Sequence, residues 1–265
     1  MKKLRIAFAV NSAKAEVKRR ARSLGELAAR HGIEVAAAAA EADILVALGG
    51  DGTILKAVHE YPALPVLGLN YGGLGYLASV ERDDFGRALD LLARGRYTVS
   101  QRTMLDAGGG AVALNDIVLR GASAHTAVVD LSIDGGAVTR YLADGLILAT
   151  PTGSTAYSLA AGGPVLMPDS GSFVITPISP HALGVRPLVV RDTCRITLTN
   201  RRRRSGDEQA VAVYADGEEV RTLPADGEIT VRRARRRAGL VELEGYDPYE
   251  VLSRKLRWSG TTLKG

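Results

Sequence analysis

The 265-residue sequence predicts a parallel α/β domain followed by an antiparallel β-sandwich domain. Two observations predict that order. Up to about residue 96, wholly apolar runs of strand length alternate with segments of helical spacing, as in a parallel sheet covered on both faces. Beyond it the segments become short, β-rich and separated by turn residues, as in an antiparallel sandwich. A chain of this length suits one large domain or two modest ones.

In the first domain, Leu4 to Val10 reads as a buried strand. It follows a basic start, but its apolar part is short and no small-residue cleavage pattern follows, so a strand is expected and not a signal peptide. Ala13 to Arg30 has helical spacing, with Val17, Ala21, Leu24 and Ala28 on one side, and Gly32 stops it. Ile44 to Leu48 is a second continuous apolar strand, running into Gly49-Gly50-Asp51-Gly52-Thr53. Ile54 to Tyr61 is a helix halted by Pro62, Val66 to Leu69 another buried strand, and Asp83 to Leu92 a capped helix ended by Gly95. In the second domain, strands are expected at 111–119, 128–133, 146–149, 173–178, 188–190, 194–199, 210–214 and 228–232, with hairpin turns at Asp134-Gly135-Gly136 and Asp216-Gly217. Asp247 to Trp258 returns to helical spacing, with Val251, Leu252 and Leu256 as its apolar stripe. The domains are therefore expected at 1–96 and 97–246, followed by the helical segment 247–265.

Composition narrows the function. The single cysteine, Cys194, excludes an internal disulfide and a cysteine-based zinc site, and fits a cytoplasmic protein. No apolar run reaches the ~18 residues of a membrane span; the longest, Val35 to Leu48, is mostly alanine and is cut by Glu41 and Asp43. Aromatic residues make up 5%, too few for base-stacking platforms, so nucleic acid is not an expected partner. The runs Arg201 to Arg204 and Arg232 to Arg237 look like nucleic-acid patches, yet residues 201–237 hold ten basic and seven acidic side chains, the composition of a solvated hairpin rim. The net charge of +5 fits an anionic ligand without identifying it.

Four motifs carry chemistry. The segment Gly49 to Thr53 lies at a strand-to-helix turn, where glycines let a phosphate approach the backbone and the helix start favours an anion. A carboxylate repels a phosphate, so Asp51 suggests a base in phosphoryl transfer; the alternative is a tight turn in which Asp51 caps the helix. As a base facing phosphates, Asp51 is expected to add nothing to stability. The second motif, Asn70-Tyr71-Gly72-Gly73-Leu74-Gly75-Tyr76-Leu77, follows the next strand and should open at the same sheet edge, where α/β folds bind ligands; the alternative is a glycine-rich bend. In the third, Asn115 and Asp116 stand side by side at a strand end and suit vicinal hydroxyls, or are ordinary turn residues. The fourth runs from Ala143-Asp144-Gly145 through Thr150-Pro151-Thr152-Gly153-Ser154-Thr155-Ala156-Tyr157-Ser158-Leu159, offering hydroxyl and amide donors and one ring ahead of a helix, or a polar loop with a capped helix. His181 reads as a hydrogen-bonded structural histidine.

In this order, GGDGT, NYGGLGYL, LNDIVL, DGLILATPTGSTAYSLAAGGP and SPHALGVRPLVV, the motifs resemble the NAD kinase family from Gly49 to Val190. The resemblance implies a Rossmann-like α/β domain, a β-sandwich domain with the active site between them, and a C-terminal helix that returns to the first domain. It implies phosphorylation of the 2′-hydroxyl of the adenosine ribose of NAD, from ATP or polyphosphate with Mg2+, by dimers or tetramers. Carried over, Asp51 matches the base, Gly52 lies beside it in the NAD site, and Lys56 sits where the family often has a basic residue. Gly49, Gly50, Thr53, Asn70, Gly72 and Gly73 belong to the phosphate loops. Asn115, Asp116, Asp144 and the segment Thr155, Ala156, Tyr157, Ser158, Leu159 and Ala160 bind nucleotide. Three positions depart from the family pattern: Asp116 replaces a glutamate, Leu142 stands where some members are basic, and Glu218 replaces a frequent glutamine. Carboxylates are too few for an all-protein Mg2+ cage, so the ion is expected on the donor's phosphates with no metal site on the chain. GGDGT alone is shared with lipid kinases of the diacylglycerol and sphingosine type, but the polar TPTGSTAYS segment supplies no greasy channel. A nucleotide sensor without catalysis is the third reading.

Overall fold

The computed structural model describes residues 3–10, 15–71, 75–121, 126–203 and 209–257, without the side chains of 15–18. Ala13, Gly72, Gly73, Leu74, Arg204, Trp258 and the side chain of Val17 therefore lie outside the described residues. The chain divides into two compact units, Met1–Gln101 with Ala238–Gly265, and Arg102–Arg237.

The first unit opens with β1 (Arg5–Val10), α1 (Ala15–Arg30), β2 (Glu34–Val35), β3 (Ile44–Gly49), α2 (Asp51–Glu60), β4 (Val66–Asn70), β5 (Val80–Glu81), α3 (Phe85–Ala93) and β6 (Tyr97–Arg102). The second unit carries β7 (Leu105–Asp106), β8 (Val112–Ala113), β9 (Asp116–Gly121), β10 (Ala127–Ile133), β11 (Gly136–Ala143), β12 (Gly145–Ala149), α4 (Tyr157–Ala160), β13 (Ser172–Ile178), β14 (Leu188–Arg191), β15 (Ile196–Asn200), β16 (Val211–Ala215), β17 (Glu218–Leu223) and β18 (Glu228–Arg233). The chain then returns to the first unit through β19 (Ala238–Leu243) and α5 (Pro248–Leu256).

Among the described residues, seven strands form the sheet of the first unit in the order β2-β1-β3-β4-β19-β6, with β5 paired to β4. The pairs β1–β2, β1–β3, β3–β4 and β4–β5 are parallel. Such strands are buried on both faces. Ile44 to Leu48 of β3 are all buried for that reason. Ala28, Phe85, Leu89 and Leu92 of α1 and α3 share a core with Leu67 and Leu69 of β4. Gly68 alternates with those leucines and so faces the other side. There a Cβ would fall 2.5 Å from Ile54 Cδ1 of α2, which places α2 on the opposite face. At the end of α3, Gly95 takes φ +67 and Arg96 N–H donates to Leu91 O at 2.8 Å, a left-handed stop.

In the second unit, two six-stranded antiparallel sheets run β11-β10-β15-β18-β7-β8 and β14-β13-β12-β9-β16-β17. Their inner faces share one core, including Val129, Leu131, Leu198 and Val231 from one and Leu119, Leu148, Phe173 and Val213 from the other. This is the expected sandwich. Asp134-Gly135 (φ 51 and 84) and Asp216-Gly217 (φ 49 and 87) make the expected hairpin turns, because both central residues are left-handed.

Several boundaries differ from expectation. Tyr97–Arg102 and Ala238–Leu243 are strands at the β6 edge of the first unit's sheet, so that unit extends past residue 96 and regains the chain before 247. α2 begins at Asp51, not Ile54, since Gly50 is its extended N-cap. Asp83 caps nothing: a 3-10 turn at Arg82–Asp84 precedes α3. The expected strand 111–119 is broken into β8 and β9 at Leu114 and Asn115.

Candidate functional site

In the first unit, the sheet order reverses between β1 and β3, and ligands of such sheets bind outside the carboxyl ends of the strands there. The turn Gly49-Gly50-Asp51 lies at that end of β3. Asp51 occupies the first turn of α2, where a carboxylate suits the helix dipole, yet it is not the cap. Its oxygens reach the loop after β4: Oδ2 accepts the N–H of Tyr76 at 2.8 Å and Oδ1 that of Leu77 at 3.0 Å. Two backbone donors fix the carboxylate, and each oxygen retains a further lone pair for a ligand proton. The expectation that Asp51 adds nothing to the fold is thereby corrected, since it ties two loops together. Burial and the charge of Asp51 raise the Tyr76 phenol above its ordinary value.

The glycines around Asp51 fall into two kinds. A Cβ at Gly75 would lie 2.3 Å from Asp51 Oδ1, and one at Gly49 would lie 2.2 Å from Thr53 Oγ1. Packing alone demands those two. At Gly50 and Gly52 a Cβ would meet nothing within 4 Å, and neither backbone is left-handed. Both are exposed. Gly50 suits its N-cap position, the helix itself does not need glycine at 52, and bare backbone beside a helix start without a side-chain cap leaves room for a phosphate.

Other first-unit candidates are placed differently. Asn70 is buried and its Nδ2 donates to Glu81 Oε2 at 2.9 Å, so its amide holds the loop base. Lys56 is 62% exposed in its side chain and pairs with Glu60 at 3.5 Å. Five residues on from Asp51, it points about 140° round the helix.

In the second unit, the break between β8 and β9 is held by Asp216. Its Oδ2 accepts Leu114 N–H at 2.8 Å, and its Oδ1 accepts Asn115 N–H at 2.8 Å and Asp116 N–H at 3.2 Å. Asn115 and Asp116 are both buried, and Asn115 Oδ1 has no hydrogen-bond partner among the described residues. An acceptor stranded in this way is costly unless a donor arrives. Burial first, and the neighbouring Asp216 charge second, push the Asp116 carboxyl up to about 7. Gly153 abuts the pair: a Cβ there would fall 2.0 Å from Asn115 O.

Four of the hydroxyls in residues 150–158 bond to the protein's own backbone or side chains instead of lining an open surface. Thr150 Oγ1 donates to Leu114 O at 2.5 Å, Ser154 Oγ to Pro151 O at 2.7 Å and Thr155 Oγ1 to Thr152 O at 3.1 Å. Ser158 Oγ meets Thr176 Oγ1 at 2.8 Å. Of the candidates Thr155 to Ala160, Tyr157 and Ala160 are exposed, Thr155, Ala156 and Leu159 half-buried, and Ser158 buried. Asp144 is exposed and lies just before Gly145, which pairs with Arg120, whereas Ala149 at the other end of β12 pairs with Asp116. About 16 Å of strand separates Asp144 from the Asn115–Asp116 pair. His181 is exposed, with its ring nitrogen 3.3 Å from Thr126 Oγ1 and its N–H donating to Leu142 O, as a structural histidine does.

Comparison with known proteins bears on both units. Residues 34–97 match the ATP-NAD kinase N-terminal domain and residues 114–243 the ATP-NAD kinase C-terminal domain. The NAD kinase of Koribacter versatilis is 41% identical over 240 residues, covering 86% of this chain and 82% of that protein. That of Syntrophotalea carbinolica is 37% identical over 227 residues, covering 82% and 78%. The chain belongs to the NAD kinase family. Among solved structures, an NAD kinase from Archaeoglobus fulgidus in complex with ATP superposes with TM-score 0.79 at 29% identity, over 97% of this chain and 100% of that one. Yeast NADH kinase complexed with NADH gives 0.82 at 26% identity, over 100% and 91%.

In this member of the NAD kinase family, sequence reasoning missed three supporting residues. Asp216 was legible only as a turn aspartate, and its carboxylate clamp depends on a partner a hundred residues away. Glu81 and Lys255 carried no motif. No described helix is long and apolar enough to cross a membrane.

Proposed function

We propose that the protein transfers the γ-phosphoryl group of ATP to the 2′-hydroxyl of the adenosine ribose of NAD, giving NADP and ADP. The observation that carries this reading is a carboxylate, Asp51, fixed by two loop amides and flanked by two glycines with open space where a Cβ would sit. The ribose hydroxyl gives its proton to Asp51 as its oxygen bonds to the γ-phosphorus, and the bond to the ADP oxygen breaks. Gly50, Gly52 and the helix start receive donor phosphate. Asn115 Oδ1 and Asp116 accept ribose hydroxyls of NAD, which supplies the stranded amide oxygen with the donor it lacks. Tyr157 and the amides of Tyr157, Ser158 and Leu159 at the start of α4, more than the hydroxyls there, meet the nucleotide.

Among the described residues, no group of three or more His, Cys, Asp or Glu side chains is placed to hold a metal ion. In this reading the Mg2+ arrives on the donor's phosphates, where it neutralises their charge. Inorganic polyphosphate offers the same phosphate chemistry as an alternative donor. The reading also makes the protein a cytoplasmic dimer or tetramer, which sedimentation velocity measures. The deciding assay is NADP formation from NAD and ATP with Mg2+; no NADP, with phosphorylation of diacylglycerol or sphingosine instead, would turn the assignment to the lipid kinases.

A further inference from the structure

We propose that Lys255, on the C-terminal helix α5, is a positioning residue that holds the base of the loop whose amides fix Asp51. The inference rests on Asp51 as the group that takes the proton. Lys255 is 5% exposed, although lysine is rarely buried unless it is paired. Its Nζ lies 3.8 Å from Glu81 Oε1. The other oxygen of Glu81 accepts the amide of Asn70 at 2.9 Å. Asn70 and Glu81 are register partners on β4 and β5, so this bond closes the two stems of the loop between them. Tyr76 and Leu77, inside that loop, donate to the carboxylate of Asp51. Just beyond them the chain crosses β4 so tightly that a Cβ at Gly68 would lie 2.8 Å from Ala78 Cα. A loop pinned at its stems and at Gly68 keeps its amides aimed. Stability alone does not account for the lysine, because its ammonium is buried while the Glu81 side chain is 44% exposed, and an ion pair with one partner in solvent contributes little. Geometry does: the pair sets where Glu81, and through it Asn70, stands.

The test uses the full chain with Lys255→Met, Glu81→Gln, the double variant, and Arg254→Ala as an exposed control on the same helix. Turnover is read at saturating NAD and ATP, together with the KM for NAD, Tm, and hydrogen exchange at the amides of Tyr76 and Leu77. In Lys255→Met, kcat should fall between about ten- and a hundredfold, as small misplacements do. Its KM for NAD should change less than about twofold. Exchange at Tyr76 and Leu77 should quicken about tenfold through local opening. Glu81→Gln should follow in the same direction, the double variant should lose no more than the worse single one, and Arg254→Ala should leave every reading in place. Glu81→Gln carries the test should Lys255→Met fail to fold. A lower Tm with kcat and exchange unchanged would show a merely structural lysine and overturn the inference, as would additive losses in the double variant. If the unaltered chain makes no NADP while exchange responds as stated, the kinase reading fails and the positioning stands. If NADP forms and the variants change neither kcat nor exchange, the positioning alone fails.

Discussion

Asparagine at position 51 tests whether the carboxylate does chemistry or only ties loops. In the native chain both oxygens accept a backbone N–H, from Tyr76 at 2.8 Å and Leu77 at 3.0 Å. Asparagine offers one oxygen and one NH2 group, so one backbone N–H faces a donor. A charge-assisted hydrogen bond is lost and an N–H is stranded, at a cost of about 1–3 kcal/mol. For a chain of this size that lowers Tm by roughly 2–12 °C and leaves the protein folded. Turnover should fall much further, by about 10²-fold or more, because the proton acceptor is gone. NADP formation coupled to an NADP-specific dehydrogenase reads the rate, and a thermal melt reads the loop. Gly75→Ala is the matched control. Its new Cβ would press on Asp51 Oδ1 from 2.3 Å and disturb the same contact with the carboxylate intact. At comparable Tm loss, Asp51→Asn must be at least about tenfold slower than Gly75→Ala for a base to be needed. Equal losses, or near-normal turnover in Asp51→Asn, would refute the mechanism and leave Asp51 a strut.

Three further outcomes follow from other sites. Gly52→Ala sits in α2 with open space around its Cβ, so stability should hold or rise by up to about 1 kcal/mol while kcat/KM falls at least about tenfold; a fully active variant would show that no phosphate comes there. Asp116, pushed up to about 7, holds in the folded state a proton that the unfolded chain has released above its ordinary value of 3.8. That contribution is complete below about pH 4 and is lost as pH rises through 7. Asp116→Asn should therefore gain stability over the native chain more at pH 8 than at pH 5 in urea titrations, and lose the rise in kcat/KM for NAD between pH 6 and 8; a pH-independent difference would refute the buried acid. Arg201 and Arg202 pair with Asp130 and Asp226 on an exposed rim, so changing both to serine should leave Tm nearly unchanged and kinase activity within about threefold; a salt-steep nucleic-acid complex lost on that change would overturn the rim reading.

Local grammar revealed much of this architecture. Wholly apolar runs announced β1, β3 and β4, because a parallel sheet covered on both faces admits little else. Asp134-Gly135 and Asp216-Gly217 announced hairpins, because left-handed pairs favour those residues. The strands β6 and β19 stayed hidden for a physical reason. Tyr97–Arg102 is largely exposed or half-buried, Ala238–Leu243 mixes buried and half-buried positions, and only tertiary pairing shows that both belong to the first sheet. The hydroxyls of the TPTGSTAYS segment misled in the same way. A polar loop's composition does not say which way its oxygens turn, and here Thr150, Ser154, Thr155 and Ser158 answer the demands of their own backbone and of Thr176.

The glycines show where a motif stops being readable by eye. In sequence, Gly49, Gly50, Gly52 and Gly75 look alike, four small residues around one aspartate. In space, Gly49 and Gly75 are filled by Thr53 and Asp51, and the chain could not close without them. Among the described residues nothing lies within 4 Å of where a Cβ at Gly50 or Gly52 would sit; at Gly52, inside α2, alanine would serve the helix better, whereas Gly50 is the N-cap, a place that glycine already suits. A residue that the fold does not require, at a position where it costs helix propensity, points to something outside the chain that comes close. By the same sorting Gly153 and Gly163, packed against Asn115 O and Ser158 Oγ, are glycines that packing already explains. Packing therefore accounts for part of each glycine motif, and the unaccounted part, two open positions beside a fixed carboxylate, is where phosphate chemistry has room to act.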